Sequence, residues 1–258
     1  MTSYPIPSCC LKSFQWDGTP SGTESTLPGI PNSVYVTGTN PSVAILYIHD
    51  LLGWTFPNAR LLADHYASEV NATVYIPDFF GGEVLSVDAI LGERWGELDL
   101  PGFLSRNGRH AREAEIVAFA RALRKKHEKV SAIGYCYGGW AVHRLGAKEF
   151  VDPETGTGLV DCVTAAHPSL LTKKDIDEVV VPVQMLAPEF DSEFTAELKS
   201  YAFSTLQGNG LPFDYQHLPG VEHGGLVRGD EKKEGEREAM ARAKNAAVAW
   251  HRWWLHGV

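Results

Sequence analysis

The stretch AIGYCYGGWAVHRLG, residues 132–146, decides how this chain is read. Residues 130–135, VSAIGY, form a short apolar run of the kind found in a buried strand, and a helical pattern follows at 138–148. Between them, Gly134-Tyr135-Cys136-Tyr137-Gly138 fits Gly-x-nucleophile-x-Gly, with cysteine where serine is more usual. The glycines have a steric purpose. A sharp strand-to-helix turn brings backbone too close for side chains at both flanking positions. Such a turn lifts the central side chain above the sheet edge, and the helix N-terminus beside it favours thiolate over thiol. The competing reading is a small apolar residue in a glycine-rich turn, because short glycine motifs also arise by chance.

Strands and helices alternate outward from this turn. Strands are expected at 34–38 (VYVTG), 43–49 (VAILYIH), 73–78 (TVYIPD), 162–167 (CVTAAH), 179–187 (VVVPVQMLA) and 213–218 (FDYQHL). Helices are expected at 58–70, with Ala59, Leu62, Ala63, Tyr66 and Ala67 on one face, and at 109–127, with Ile116, Phe119, Ala120 and Leu123. Two more are expected at 192–206 and 232–256, the last with Ala239, Ala243, Ala246, Trp250 and Trp253 as its apolar stripe; Trp250, Trp253 and Trp254 are expected to pack inside, with an interface as the alternative. The charged run EKKEGERE at 231–238 reads as a solvated face. The alternation predicts one α/β domain over 1–258, with a mostly parallel central sheet and helices on both faces. Residues 1–33 read as an irregular lead-in, and 79–108 as loops and short helices in a cap-like region.

The bulk composition narrows the function. The 258 residues carry a net charge of −9, which gives no electrostatic reason to expect nucleic acid. There is no apolar run long enough for a membrane span and no secretory leader pattern at the N-terminus. Four cysteines at irregular spacing do not make a disulfide framework or a zinc ribbon, so a reducing, cytoplasmic setting is the simplest expectation. Nothing indicates an oligomer.

If Cys136 is a nucleophile, an acid and a base should follow it in chain order. The strand at 179–187 runs into Pro188-Glu189-Phe190-Asp191, which offers two carboxylates past the strand's C-terminal end, where ligands bind in open α/β sheets. Asp191 also suits a helix N-cap. Ten histidines are present, and His223 stands out among them, in a glycine-rich loop after the last strand. The backbone amides of Leu51 and Tyr137 are the expected oxyanion donors. Asp50 would lie near the nucleophile, where it could hold the thiol or pair with the base. His167, at the end of CVTAAH, is expected either to face the site or to be a satisfied strand-end histidine, and Trp54, Phe79 and Phe80 either to line the pocket or to belong to the core. A metal site from His49, His167 and His223 has no short ligand spacing to support it.

Taken together, CCLKSFQWDGTPSG, YIHDLLGWTFPNARLLAD, VYIPDFFGG, IGYCYGG, APEFD and VEHGGLVRGD resemble the dienelactone hydrolase family, its fungal branch in particular, over nearly the whole chain. The resemblance implies an α/β-hydrolase fold and a Cys-Asp-His triad of Cys136, Asp191 and His223. It favours Asp191 over Glu189 as the acid. It implies hydrolysis of enol lactones or related esters without metal or cofactor, with a small-molecule ester or lactone as substrate and an oligomer possible but not indicated. Two departures stand out. Asp50 is one methylene shorter than the glutamate that holds the thiol inactive in bacterial members. Gly81 and Gly82 replace an arginine that binds the substrate carboxylate there, leaving Arg228 as an anion contact. These departures argue against a simple muconate-type dienelactone. They motivate a second reading, a natural-product pathway enzyme acting on a polyketide-like lactone or thioester. A third, from another class, is a non-catalytic ligand-binding protein that keeps the fold.

Overall fold

The computed structural model of the chain describes residues 14–91 and 94–258. Residues 1–13 of the expected lead-in, with Cys9 and Cys10, lie outside the described residues, as do 92 and 93 of the 79–108 segment. The described elements run β1 (Thr23–Thr26), β2 (Ser33–Thr37), β3 (Val43–Ile48), α1 (Pro57–Val70), β4 (Thr73–Pro77), α2 (Val87–Leu91), α3 (Leu100–Arg106), α4 (Arg109–Lys126), β5 (Lys129–Tyr135) and α5 (Gly138–Leu145). They continue with β6 (Val163–Ala166), α6 (Lys173–Glu178), β7 (Val183–Phe190), α7 (Ala196–Gly208), β8 (Phe213–Glu222), α8 (Gly225–Arg228) and α9 (Glu234–His256).

The strands form one eight-stranded sheet in the order β1-β2-β4-β3-β5-β6-β7-β8. The β1–β2 and β2–β4 pairs are antiparallel, and every pair from β4–β3 to β7–β8 is parallel. Alternation along β3 shows how the sheet serves two cores. Ala44, Leu46 and Ile48 point into the layer packed by α4, α5, α6 and α7. Val43, Ile45 and Tyr47 point into the layer packed by α1 and α9. All six are buried, which explains the unbroken apolar run. Truncating Leu46 to alanine would cost about 2–5 kcal/mol in a site packed this closely. This arrangement is the α/β-hydrolase fold, and none of the helices described is long and apolar enough to cross a membrane.

Several local readings need correcting. The lead-in is not wholly irregular, because β1 pairs along the sheet edge with all four residues exposed and carries no apolar signal. Helix α7 starts at Ala196 with Thr195 as N-cap, so Asp191 does not cap it. Helix α6, absent from the sequence reading, is six residues closed by a capping box between Thr172 and Asp175. On α9 the buried face is Ala239, Met240, Ala243, Ala247, Val248, His251 and Leu255. Trp253 is 60% exposed, and Trp250 and Trp254 are half-buried against each other. The stripe through Ala246, Trp250 and Trp253 was therefore set one residue off the face that packs.

Candidate active site

Five neighbouring strands, β3, β5, β6, β7 and β8, run parallel and end on one edge of the sheet. The loops that follow them carry every polar group of the site. Cys136 follows β5 with φ 49°, a left-handed conformation rare for a residue with a side chain and costing about 1–2 kcal/mol. Its amide donates to the Ala166 carbonyl at 3.0 Å, and its carbonyl accepts from Gly139 N and Ser169 N. The flanking glycines make the turn sterically feasible. A Cβ on Gly134 would strike the Gly138 carbonyl, and one on Gly138 would strike the carbonyl of Ile48.

His223, the first residue after β8, is fixed by its amide donating to Phe190 O at 2.8 Å. Its Nε2 lies 3.1 Å from Cys136 Sγ, and its Nδ1–H donates to Asp191 Oδ1 at 2.8 Å. Asp191 Oδ1 also accepts from the amides of Glu193 and Phe194, which pin the carboxylate. Glu189, the rival acid, is exposed and accepts instead from Gly220 N. Burial alone would lower the His223 pKa. The Cys136 sulfur and the bond to Asp191 outweigh burial and raise it from 6.5 to about 10. The imidazolium is thus held opposite the sulfur. Cys136 and His223 are only 1% and 2% exposed.

The loop after β3 presents the candidate oxyanion donors. Among the described residues, neither the Leu51 nor the Tyr137 amide is engaged in a turn, loop or side-chain hydrogen bond. His49 organises this loop, a role the sequence did not suggest. Phe79 N donates to its Nε2, so Nδ1 carries the proton and donates to Asp50 O at 2.9 Å. Burial lowers the His49 pKa to about 4, consistent with that neutral ring.

Asp50 and Arg228 meet each other. The Arg228 Nε lies 3.0 Å from Asp50 Oδ2, with both side chains 1% exposed. Burial raises the Asp50 pKa from 3.8 to about 6. The Arg228 guanidinium opposes that rise and the nearby Cys136 sulfur adds to it. Arg228, expected as a contact for substrate anions, lies in an ion pair with Asp50. Trp54, expected to line the site, instead packs in the α1–α9 core with the Arg60 guanidinium 5.0 Å over its ring. Phe79 and Phe80 are core residues, although Phe80 stacks edgewise on Tyr137 at 5.0 Å. Gly81 lies against the Arg112 guanidinium, where a Cβ would come within 2.8 Å of Nη2.

The turn after β6 brings in two more groups. His167 is fully buried with φ 38°, and its ring centroid is 4.9 Å from that of His223. Burial lowers its pKa to about 4, and its contact with the Cys136 sulfur opposes that shift. Ser169 was missed. Its hydroxyl is 3.1 Å from Cys136 Sγ and 3.3 Å from His223 Nε2, bridging the pair. The available signal was topological, since β6 lies between the strands carrying Cys136 and Asp191.

A buried sulfur, an imidazole and an anchored carboxylate at a sheet's C-terminal edge are compatible with acyl transfer. The comparisons bear on the family. Residues 32–254 match the dienelactone hydrolase family. Hydrolase tropI of Talaromyces stipitatus is 30% identical, with 97% of each chain covered. The human carboxymethylenebutenolidase homolog is 27% identical over 78% of this chain and 83% of its own. A putative dienelactone hydrolase from Klebsiella pneumoniae superposes with a TM-score of 0.67 at 14% identity, covering 90% of this chain and 98% of the other, and so supports the fold. The chain belongs to the dienelactone hydrolase family of hydrolases.

Proposed function

We propose that this chain hydrolyses an enol lactone or a related activated ester through Cys136, His223 and Asp191. The observation that carries the reading is the continuous line from Cys136 Sγ through His223 to Asp191, at 3.1 and 2.8 Å. The thiolate attacks the carbonyl carbon, and the carbonyl electron pair moves onto oxygen, opposite the Leu51 and Tyr137 amides. Collapse expels the enolate, which takes the proton from His223 Nε2. Water then attacks the thioester, giving its proton to His223, and the released acid leaves Cys136 as thiolate. Asp191 holds Nε2 on the sulfur side throughout. Expulsion of thiolate competes with expulsion of the leaving group at the first intermediate, so a stabilised enolate or phenolate suits a cysteine nucleophile. Turnover of an activated aryl ester and a simple enol lactone by wild type and Cys136→Ala tests this. Loss in the variant is expected, and unchanged turnover refutes it.

A second reading, a natural-product pathway enzyme acting on a polyketide-like lactone or thioester, is favoured by Gly81. Arg112 lies over it but is bonded to Asn107 and Glu115. That leaves no arginine at Gly81 itself for a small substrate's carboxylate. On this reading aromatic lactones turn over faster than simple acyl esters, and equal rates refute it.

A further inference from the structure

The turn after β6 has one feature the hydrolytic reading leaves unused. Among the described residues, neither ring nitrogen of His167 meets a nitrogen or oxygen partner, although the ring is completely buried, and it faces the Cys136 sulfur. A ring nitrogen of His167, a ring nitrogen of His223 and Cys136 Sγ all lie within 4.8 Å of one another. In a tetrahedral zinc site with bonds of about 2.0–2.3 Å, ligand atoms sit roughly 3.3–3.8 Å apart. The His223 Nε2–Sγ separation of 3.1 Å lies just below that range and no pair in the set exceeds 4.8 Å, so side-chain shifts of about 1 Å would fit the three atoms around one ion. Behind His223 stands Asp191 on Nδ1, the carboxylate–histidine arrangement that orients a metal-ligating ring. His167 and Leu170 both hold left-handed backbones around Pro168, which turns the His167 ring into the site.

We propose that Cys136, His167 and His223 form a three-ligand site for a thiophilic divalent cation, zinc in the first instance, which blocks the thiol reversibly. Zinc takes the sulfur lone pair and the His223 Nε2 lone pair and displaces the single proton those two atoms share. His167 supplies a second imidazole, and a fourth position is left for water beside the Ser169 hydroxyl. No oxidation accompanies binding, and a chelator restores the thiol. The proposal needs only these three side chains and not the hydrolytic reading, so it is measured without substrate.

The chelator-treated full chain is titrated with cobalt(II) and then with zinc(II). One ion per chain is expected, with a thiolate-to-cobalt charge-transfer band that zinc abolishes. Cys136→Ala should remove the band. His167→Asn should weaken binding at least tenfold, and asparagine is chosen because it accepts a left-handed backbone. X-ray absorption of the zinc-loaded wild type should show one sulfur and two imidazole nitrogens, and this decides the matter alone if His167→Asn does not fold. The proposal is overturned by absence of stoichiometric binding, by binding that survives Cys136→Ala, by a folded His167→Asn that binds as tightly as wild type, or by a shell lacking the sulfur or the second imidazole. Failure to hydrolyse any ester would leave these readouts unaffected.

Discussion

Among the described residues, Cys136 and Cys162 are both buried beside a histidine, and the two sites differ in what stands behind that histidine. At the sheet edge Cys136 Sγ is 3.1 Å from His223, and Asp191 accepts the far N–H. Under α9, Cys162 Sγ is 3.8 Å from His251 Nδ1, and the far nitrogen meets only the Thr164 hydroxyl at 3.2 Å. Burial there drives both groups to neutrality: the Cys162 thiol is pushed well above its usual value and His251 down to about 3. At the edge, the sulfur and Asp191 reverse the effect of burial and raise His223 to about 10. Juxtaposing a thiol with an imidazole therefore does not make a reactive pair. On the proposed reading, an anchored carboxylate in a place where the elbow can present the sulfur is what makes the difference.

The largest expected break in this contrast is Asp191→Asn. It keeps the shape, removes the charge behind His223 and should lower kcat by the order of 10³–10⁴-fold, read as initial rates on an aryl ester. Thiol reactivity should separate the pairs next. Native chain treated with iodoacetamide should be modified at Cys136, and Cys162 should react only on unfolding, as peptide mapping would show. The pH response sharpens the same point. His223 titrates at about 10 in the folded chain, against an ordinary 6.5. Its contribution to stability is complete below pH 6.5 and is lost as pH rises through about 10. The acid that protonates the leaving group is lost in the same window, so kcat/KM should fall near pH 10, and Asp191→Asn should move that fall toward neutral pH. The smallest effect is at the other pair: Cys162→Ala should cost about 1–2 kcal/mol in chemical denaturation and leave kcat unchanged.

The elbow was legible in the sequence because its demands are local. Gly134 and Gly138 announce a turn that no side chain fits, and the order Cys136, Asp191, His223 follows the strands. The faces of α1 and α4 were legible too, since Ala59, Leu62 and Tyr66, and Ile116, Phe119 and Leu123, keep helical spacing into the core. What escaped depends on pairs distant in sequence. Ser169 matters only because β6 lies beside β5, and nothing around it marks a bridge between Cys136 and His223. Asp50 and Arg228 are 178 residues apart by number, so their ion pair has no local signature. Trp54 looks like a pocket residue by position, yet it is drawn into the core by the aliphatic face of α1. Strand β1 is an exposed edge held by backbone bonds, so its TEST sequence carries no periodicity to read.

The central claim is that Cys136, and not its hydroxyl neighbour Ser169, forms the bond to the acyl group. Both lie within reach of His223 Nε2, at 3.1 and 3.3 Å, so the choice is a real one. The most direct measurement is acid quench of the wild type during turnover of a slowly deacylated aryl ester, followed by peptide mass spectrometry. The account predicts one acyl group per chain, on the peptide holding Cys136 and labile to hydroxylamine as a thioester. An acyl group on Ser169, or turnover with Cys136 never acylated, would contradict it.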